Sequence, residues 1–342
     1  MKRTLIALAT ACVCTTAVHA QSQVQLTGLA DVYAGSVRLA GDKSSKGVVG
    51  SGGMTTSWWG LKGQEDLGGG LKADFNITAF MRMDTGEMGR FGADPFFSRD
   101  ANVGLSGGFG TVRLGRSMAP NFLPTILSNP FGDSFTISPL VLHANMTNPA
   151  WGSSYLTTPA DTGWSNQVVY STPSFGGLRA NLHYQFGEQA GKGSKRNVGV
   201  NALYSNGPLS LVAFYESAQI TNPVVQTLMP TKTDWMVGGN YDFKLAKLYA
   251  TYGQAKVKTQ DRKNTTYSLG LDVPVASSGS IKAAAAHTKA EQPGADLKRK
   301  TYSVGYDHFL SKRTDLYAVA MHDKVTDAKS GTSFIVGMRH RF

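Results

Sequence analysis

Three kinds of residue in this 342-residue chain have the chemistry to act on another molecule: a serine in a glycine frame, seven histidines, and charged side chains set singly among apolar ones. Ser106 lies in Gly104-Leu105-Ser106-Gly107-Gly108, which fits the G-x-S-x-G pattern of a nucleophile elbow. That pattern works only where a strand turns into a helix with a histidine and an acid nearby. Here Phe109-Gly110-Thr111 begins another strand, so Ser106 reads as a turn residue. The histidines are scattered, with no His-x-x-x-His pair to frame a metal. Cys12 and Cys14 are the only cysteines, and no phosphate-cradling glycine loop or dinucleotide fingerprint occurs. No catalytic residue, metal or cofactor is therefore expected. What remains is electrostatic chemistry, and Lys62 and Arg82 are its first candidates, because each falls on the polar parity of an alternating segment.

Those segments must be strands. Leu71, Ala73, Phe75, Ile77, Ala79, Met81 and Met83 alternate with Lys72, Asp74, Asn76, Thr78, Phe80 and Arg82. This run of period two is longer than an average strand and long enough to cross a bilayer when tilted. The chain ends in the same way. Phe334, Val336, Met338, His340 and Phe342 form a mostly apolar face, and Ser333, Ile335, Gly337, Arg339 and Arg341 the other. A terminal carboxylate beside an apolar ring suits a strand that stops at a membrane–water boundary, where aromatics anchor. The competing reading is the edge strand of a soluble sandwich.

The N-terminus favours export. Met1-Lys2-Arg3 is a positive start, Leu5 to Val13 is apolar but too short to span a bilayer, and Ala17-Val18-His19-Ala20 supplies small residues before a cleavage point. The expected signal peptide covers residues 1–20 and takes both cysteines with it, leaving no thiol and no disulfide. The formal charge of +11 loses Lys2 and Arg3 and becomes +9. A basic balance suits nucleic acid, acidic lipid or an anion pathway. Export and the scattering of the basic residues argue against nucleic acid. No later stretch approaches the ~20 apolar residues of a membrane helix, so a membrane form must be a closed barrel.

Turn signals divide residues 21–342 into about sixteen strands, an even number as a bacterial barrel requires. Short connections alternate with longer, more polar ones. One connection, about 118–165, is far longer and holds six prolines, yet Phe122, Leu123, Phe131, Phe135 and Trp151 need something to pack against. The expectation is that it folds inside the barrel; the alternative is an ordered surface flap.

The chain resembles the general diffusion porins of Gram-negative outer membranes, closest to the β-proteobacterial type. The resemblance runs from the signal to Phe342. It is carried by Gly60-Leu61-Lys62-Gly63-Gln64-Glu65-Asp66-Leu67-Gly68-Gly69-Gly70-Leu71-Lys72, by Val103 to Gly110, by Leu114-Gly115-Arg116 and by Arg339-His340-Arg341-Phe342. It implies an all-β fold, a 16-stranded antiparallel transmembrane barrel with a long third loop folded into the pore, and a homotrimer. It implies contact with outer-membrane lipid and lipopolysaccharide, and insertion by the barrel assembly machinery, with Phe342, His340 and Met338 as the C-terminal assembly signal. Arg116 matches the family's wall arginine and Asp133, in Asn129-Pro130-Phe131-Gly132-Asp133, its acidic loop segment. Opposed charges of this kind orient small polar solutes and set ion preference.

Two departures thin the basic wall. Trp58 and Gly163 stand where the family often has arginine. Trp58 either stacks against aromatic or sugar-like solutes in the pore or belongs to an interfacial girdle. Among the other charges, Arg113 is expected in the vestibule and Arg99 on the lipid side of its strand, where it could snorkel to headgroups or pair across a trimer contact. Arg179 and His183 are expected on a wetted inner wall, and Lys298-Arg299-Lys300 in a solvated loop or against lipopolysaccharide. The expected function is passive diffusion of small hydrophilic solutes and ions through the outer membrane, with mild anion preference and no enzymatic step. The alternatives are a substrate-specific channel with an aromatic-lined pore, a membrane barrel enzyme, and an adhesin.

Overall fold

The computed structural model describes residues 23–90, 92, 94–145, 162–188, 196–219, 231–294 and 296–342. The expected signal peptide and residues 146–161 of the long connection lie outside them.

The strands are β1 (Gln23–Val37), β2 (Lys46–Ser51), β3 (Trp58–Gly68), β4 (Leu71–Phe80), β5 (Asp100–Gly107), β6 (Gly110–Met118), β7 (Gly163–Ser171), β8 (Leu178–Gln185) and β9 (Asn197–Asn206). They continue as β10 (Leu209–Gln219), β11 (Thr231–Asp242), β12 (Lys247–Val257), β13 (Arg262–Val275), β14 (Gly279–Glu291), β15 (Leu297–Phe309), β16 (Thr314–Val325) and β17 (Gly331–Arg341). Between β6 and β7 lie two short helices, α1 (Phe122–Leu127) and α2 (Pro139–Asn145). Neighbouring strands are antiparallel, and the sheet closes on itself where β1 meets β17.

Seventeen strands make sixteen staves. β2 pairs with one half of β1, residues 32–37, and β3 with the other, residues 23–29. They are one stave interrupted at residues 52–57, so the expected even number holds.

The pleat sorts side chains as the alternation predicts. On β17, Phe334, Val336 and Met338 are exposed while Ser333, Ile335 and Arg339 are buried. Val24 and Leu26 on β1, Leu61 on β3 and Val103 and Leu105 on β5 are exposed in the same way. A closed sheet with exposed apolar residues on its outer side is suited to lipid, where every backbone polar group must be satisfied internally. No helix among the described residues is long and apolar enough to cross a membrane.

The seam is closed by the last residue. The Gly28 N–H donates to the Phe342 carbonyl at 3.0 Å, and the Phe342 N–H returns a bond to Gly28 at 3.1 Å. A Cβ at residue 28 would lie 2.4 Å from the Phe342 ring, so only glycine lets the terminal aromatic lie across β1.

The main buried apolar cluster lies on the inner side of the sheet. Phe131, Ile137 and Leu142 of the long connection pack against Met54, Tyr317, Val319 and Ile335.

Candidate functional site

The interrupted stave builds the site's foundation. Asp31, on the inner face of β1, has a carboxylate that accepts from the backbone N–H of Gly53 at 3.1 Å, Met54 at 2.9 Å and Thr55 at 2.7 Å. It also accepts from the Tyr317 hydroxyl at 2.5 Å. The stave is thereby held open, and its freed carbonyls face inward. Ser134 donates to the Gly53 carbonyl at 2.6 Å and Thr136 to the Gly52 carbonyl at 2.9 Å. The connection after β6 is thus stitched to the break in β2–β3.

Its other end is held by side chains from the opposite arc. Ser303 donates to the Ile137 carbonyl at 2.7 Å. Both ring nitrogens of the buried His143, on α2, are engaged at 2.7 Å, by Thr288 and by Thr301. Burial, reinforced by the charge of Arg299, holds this imidazole well below its ordinary range and keeps it neutral. Arg299 donates to the Leu142 carbonyl at 3.0 Å and pairs with Asp323 at 2.9 Å, both side chains being inaccessible to water. Two prolines seat against glycines of the wall: a Cβ at Gly199 would meet Pro120 at 2.4 Å, and one at Gly270 would meet Pro130 at 2.5 Å. Residues 118–145 therefore lie against the inner wall.

The charges of the β3–β6 wall are arranged differently. Trp58 is on the inward parity of β3, because its neighbours Trp59 and Leu61 are exposed outside. The Arg99 guanidinium lies 4.2 Å from the Trp58 ring centroid and the Lys62 ammonium 5.5 Å from it. Such cation–π contacts hold each cation without cancelling its charge. Arg99 also pairs with Asp100 at 2.7 Å, and Arg113 with Asp74 at 2.6 Å. Lys62 lies within electrostatic reach of both Arg99 and Arg113. Asp133, from the long connection, faces this group. Its carboxyl accepts from Thr55 and feels the positive charges of Arg99 and Arg339, yet the surrounding wall removes enough water to push its pKa up to about 6. Among the described residues no group of three or more His, Cys, Asp or Glu side chains is placed to hold a metal ion.

The family model of the Gram-negative porins matches residues 4–328. The chain belongs to the Gram-negative porin family. It is 34% identical over 289 residues to outer membrane porin protein 32 of Delftia acidovorans, an alignment covering 82% of this chain and 78% of that protein. An outer membrane porin protein of Bordetella pertussis is 28% identical over 284 residues, with 74% of this chain and 69% of that protein covered. The solved structure of an anion-selective porin from Comamonas acidovorans superposes with a TM-score of 0.80 at 30% identity, covering 94% of this chain and all of that one. OmpT of Vibrio cholerae, at 15% identity and a TM-score of 0.69, shares the fold. The chain is an outer-membrane porin.

In this porin the residues expected at the site do not all meet. Lys62 and Trp58 come together, with Asp133 facing their group. Arg116 lies in a bulge of β6, where its Nε donates to the Ser98 carbonyl at 2.7 Å and its Nη1 to the Ser165 hydroxyl at 2.9 Å, in a buried position. Arg82 folds over its own loop onto Glu87 at 2.7 Å. The expectation for Arg99 was wrong. It precedes the first residue of β5, so strand parity does not govern it, and its side chain turns inward onto Trp58. Arg299 is likewise not a loop residue: it lies within β15 and is buried on Asp323. His183 is buried rather than wetted, bonded to Gln167 at 3.2 Å beneath Trp164. Arg339 was missed as a site residue. Its inward parity in the tail was the available signal, and it pairs with Asp315 at 3.0 Å and donates to Thr55 at 2.8 Å.

Proposed function

We propose that this porin carries small hydrophilic solutes and ions across the outer membrane by passive diffusion, with a mild preference for anions, as a homotrimer whose channels are narrowed by the connection after β6. The observation that carries the anion preference is the group of three cations, Arg99, Lys62 and Arg113, on one inner wall, where Asp100 and Asp74 pair with the two arginines and Lys62 supplies the excess positive charge. Asp133, a loop carboxyl that is easily neutralised, lies within electrostatic reach of Arg99. Field lines concentrate in a narrow passage with low-dielectric walls, so a small excess of one sign is enough to bias ion entry. The relative from Comamonas acidovorans, described as anion-selective, points the same way. The homotrimer and recognition of Phe342, His340 and Met338 by the barrel assembly machinery follow from the family resemblance.

The test is the reversal potential of single trimers in a planar bilayer under a salt gradient, with the conductance steps recorded alongside. Steps in groups of three with a reversal potential on the anion side support the proposal. A cation preference would mean that Asp133 outweighs the wall. A substrate-specific channel would instead show conductance that saturates with, or is blocked by, one class of solute.

A further inference from the structure

Three methionines, Met81, Met83 and Met88, fall close together in the connection between β4 and β5. They do not belong to a core: Met83 is 41% exposed and Met88 50%, whereas Met54, Met236 and Met321 are buried. Met81 and Met88 stand opposite each other in an antiparallel bridge. The hydrogen bonds flank this pair rather than join it. The Gly89 N–H donates to the Phe80 carbonyl at 2.7 Å, and the Arg82 N–H to the Glu87 carbonyl at 2.8 Å. In a pair of this kind the two side chains leave the same face and lie closer together than in a bonded pair. Met83 opens the turn two residues beyond Met81. The turn is closed by Gly86, at φ 77°, whose N–H donates to the Arg82 carbonyl at 2.8 Å.

The hairpin stands on a fixed base. The Met81 N–H donates to the Ser57 carbonyl at 3.0 Å. The Arg90 guanidinium lies over the Phe80 ring, 4.8 Å from its centroid, and pairs with Asp94 at 2.8 Å. Glu87 belongs to the alternate face of the hairpin, where it holds Arg82 at 2.7 Å and accepts from the Thr85 hydroxyl at 3.1 Å. The Met81–Met88 face therefore presents thioethers while this carboxylate is engaged on the other side. A thioether is polarisable and sits on three rotatable bonds, so its sulfur can adapt to a shared ligand. Soft sulfur donors favour Cu(I), whereas calcium and magnesium take carboxylate, carbonyl and water oxygens.

We propose that Met81, Met83 and Met88 form a three-thioether site for a soft monovalent cation, Cu(I) or its stable analogue Ag(I), in the connection between β4 and β5. Met81 and Met88 supply the paired base and Met83 the third sulfur. An apolar surface of the same shape needs no sulfur, so exchange for leucine, which nearly conserves volume and apolarity, separates a ligand site from a patch of apolar surface.

The experiment uses the folded porin in detergent and chloride-free buffer, titrated with Ag(I) and read by native mass spectrometry, with Cu(I) delivered in competition with a chromogenic chelator. Wild type is expected to retain one Ag(I) per chain, to lose it to Cu(I), and to ignore equal concentrations of Ca(II) and Mg(II). The variant M81L/M83L/M88L should bind Ag(I) at least tenfold more weakly. M338L, which removes a single exposed thioether on β17, should bind as wild type does. Both variants should keep wild-type single-channel conductance, which shows that the barrel is intact and separates this proposal from the channel function. Equal affinity of the triple-leucine variant overturns the proposal. So does a loss in M338L as large as in the triple variant, Ca(II) held as tightly as Ag(I), or no Ag(I) retained by wild type.

Discussion

The two sides of the lumen use ionic groups for opposite ends. On the arc formed by β13–β17 and β1, Arg299–Asp323, Arg339–Asp315 and Asp31 are buried and bonded, and several of these bonds run to backbone atoms of residues 52–55 or 142. On the β3–β6 wall, Arg99 and Lys62 rest on one indole; Arg99 is also paired with Asp100, while Lys62 keeps its charge open to the passage. The difference is burial. A charge removed from water must be paired and then serves to fix geometry. A charge left half in water contributes little to stability and supplies a field.

The comparison breaks most visibly at Arg299. Its replacement by alanine leaves Asp323 buried without its cation, an expected loss of about 3–5 kcal/mol, read as a lower temperature for losing the compact gel mobility of the folded barrel. Asp31→Ala removes the acceptor for three backbone N–H groups and the Tyr317 hydroxyl. About 1–3 kcal/mol is expected from the groups left unsatisfied, together with noisier single-channel current as the 52–57 break loosens its hold on Ser134. Lys62→Gln should cost less than about 1 kcal/mol and yet move the reversal potential toward cations, more so when combined with Arg99→Gln. If the stability and selectivity effects were exchanged between Arg299 and Lys62, the division between the two sides would be wrong.

Asp133 sharpens the comparison because it belongs to both sides, held by Thr55 and facing Arg99. Its pKa in the folded protein, about 6, lies above the ordinary 3.8. Folding therefore favours its protonated form: that contribution is complete below pH 3.8 and is lost as the pH rises through about 6. The same protonation removes the negative charge facing the wall. Anion preference should grow as the pH falls through about 6, and Asp133→Asn should show the acid-side preference at every pH and lose the decline in stability that ionisation of Asp133 causes as the pH rises to about 6. A reversal potential that stays pH-dependent in this variant would move the titration to another group.

How far the sequence foretold this structure depends on the range of the rule involved. Strand positions and inward or outward faces follow from period two, a local property, and Lys62 was legible for that reason, whereas Trp58 was singled out by the resemblance, which left its place between pore and girdle open. The break in the second stave was not, because Ser51-Gly52-Gly53-Met54 reads as the end of a loop, and only Asp31, far away in sequence, makes it a structured one. Arg99 escaped because parity was extended one residue past the strand that defines it. Arg299 was hidden in a basic run whose partner, Asp323, becomes a neighbour only when β15 pairs with β16. Arg116 was placed by resemblance, and the bulge of β6 decides where its side chain goes.

The bond between Gly28 and Phe342 has a kinetic consequence. The two residues that close the ring stand almost as far apart in sequence as the described chain allows, so the closure entropy of the seam is overcome last. Until then β1 and β17 are two open edges, each with a row of unmatched donors and acceptors that can template pairing with another chain. The final aromatic thus sets the moment at which an aggregation-prone ribbon becomes an edgeless cylinder. A chain shortened by that single residue should reach the same secondary structure and linger far longer in the ribbon state.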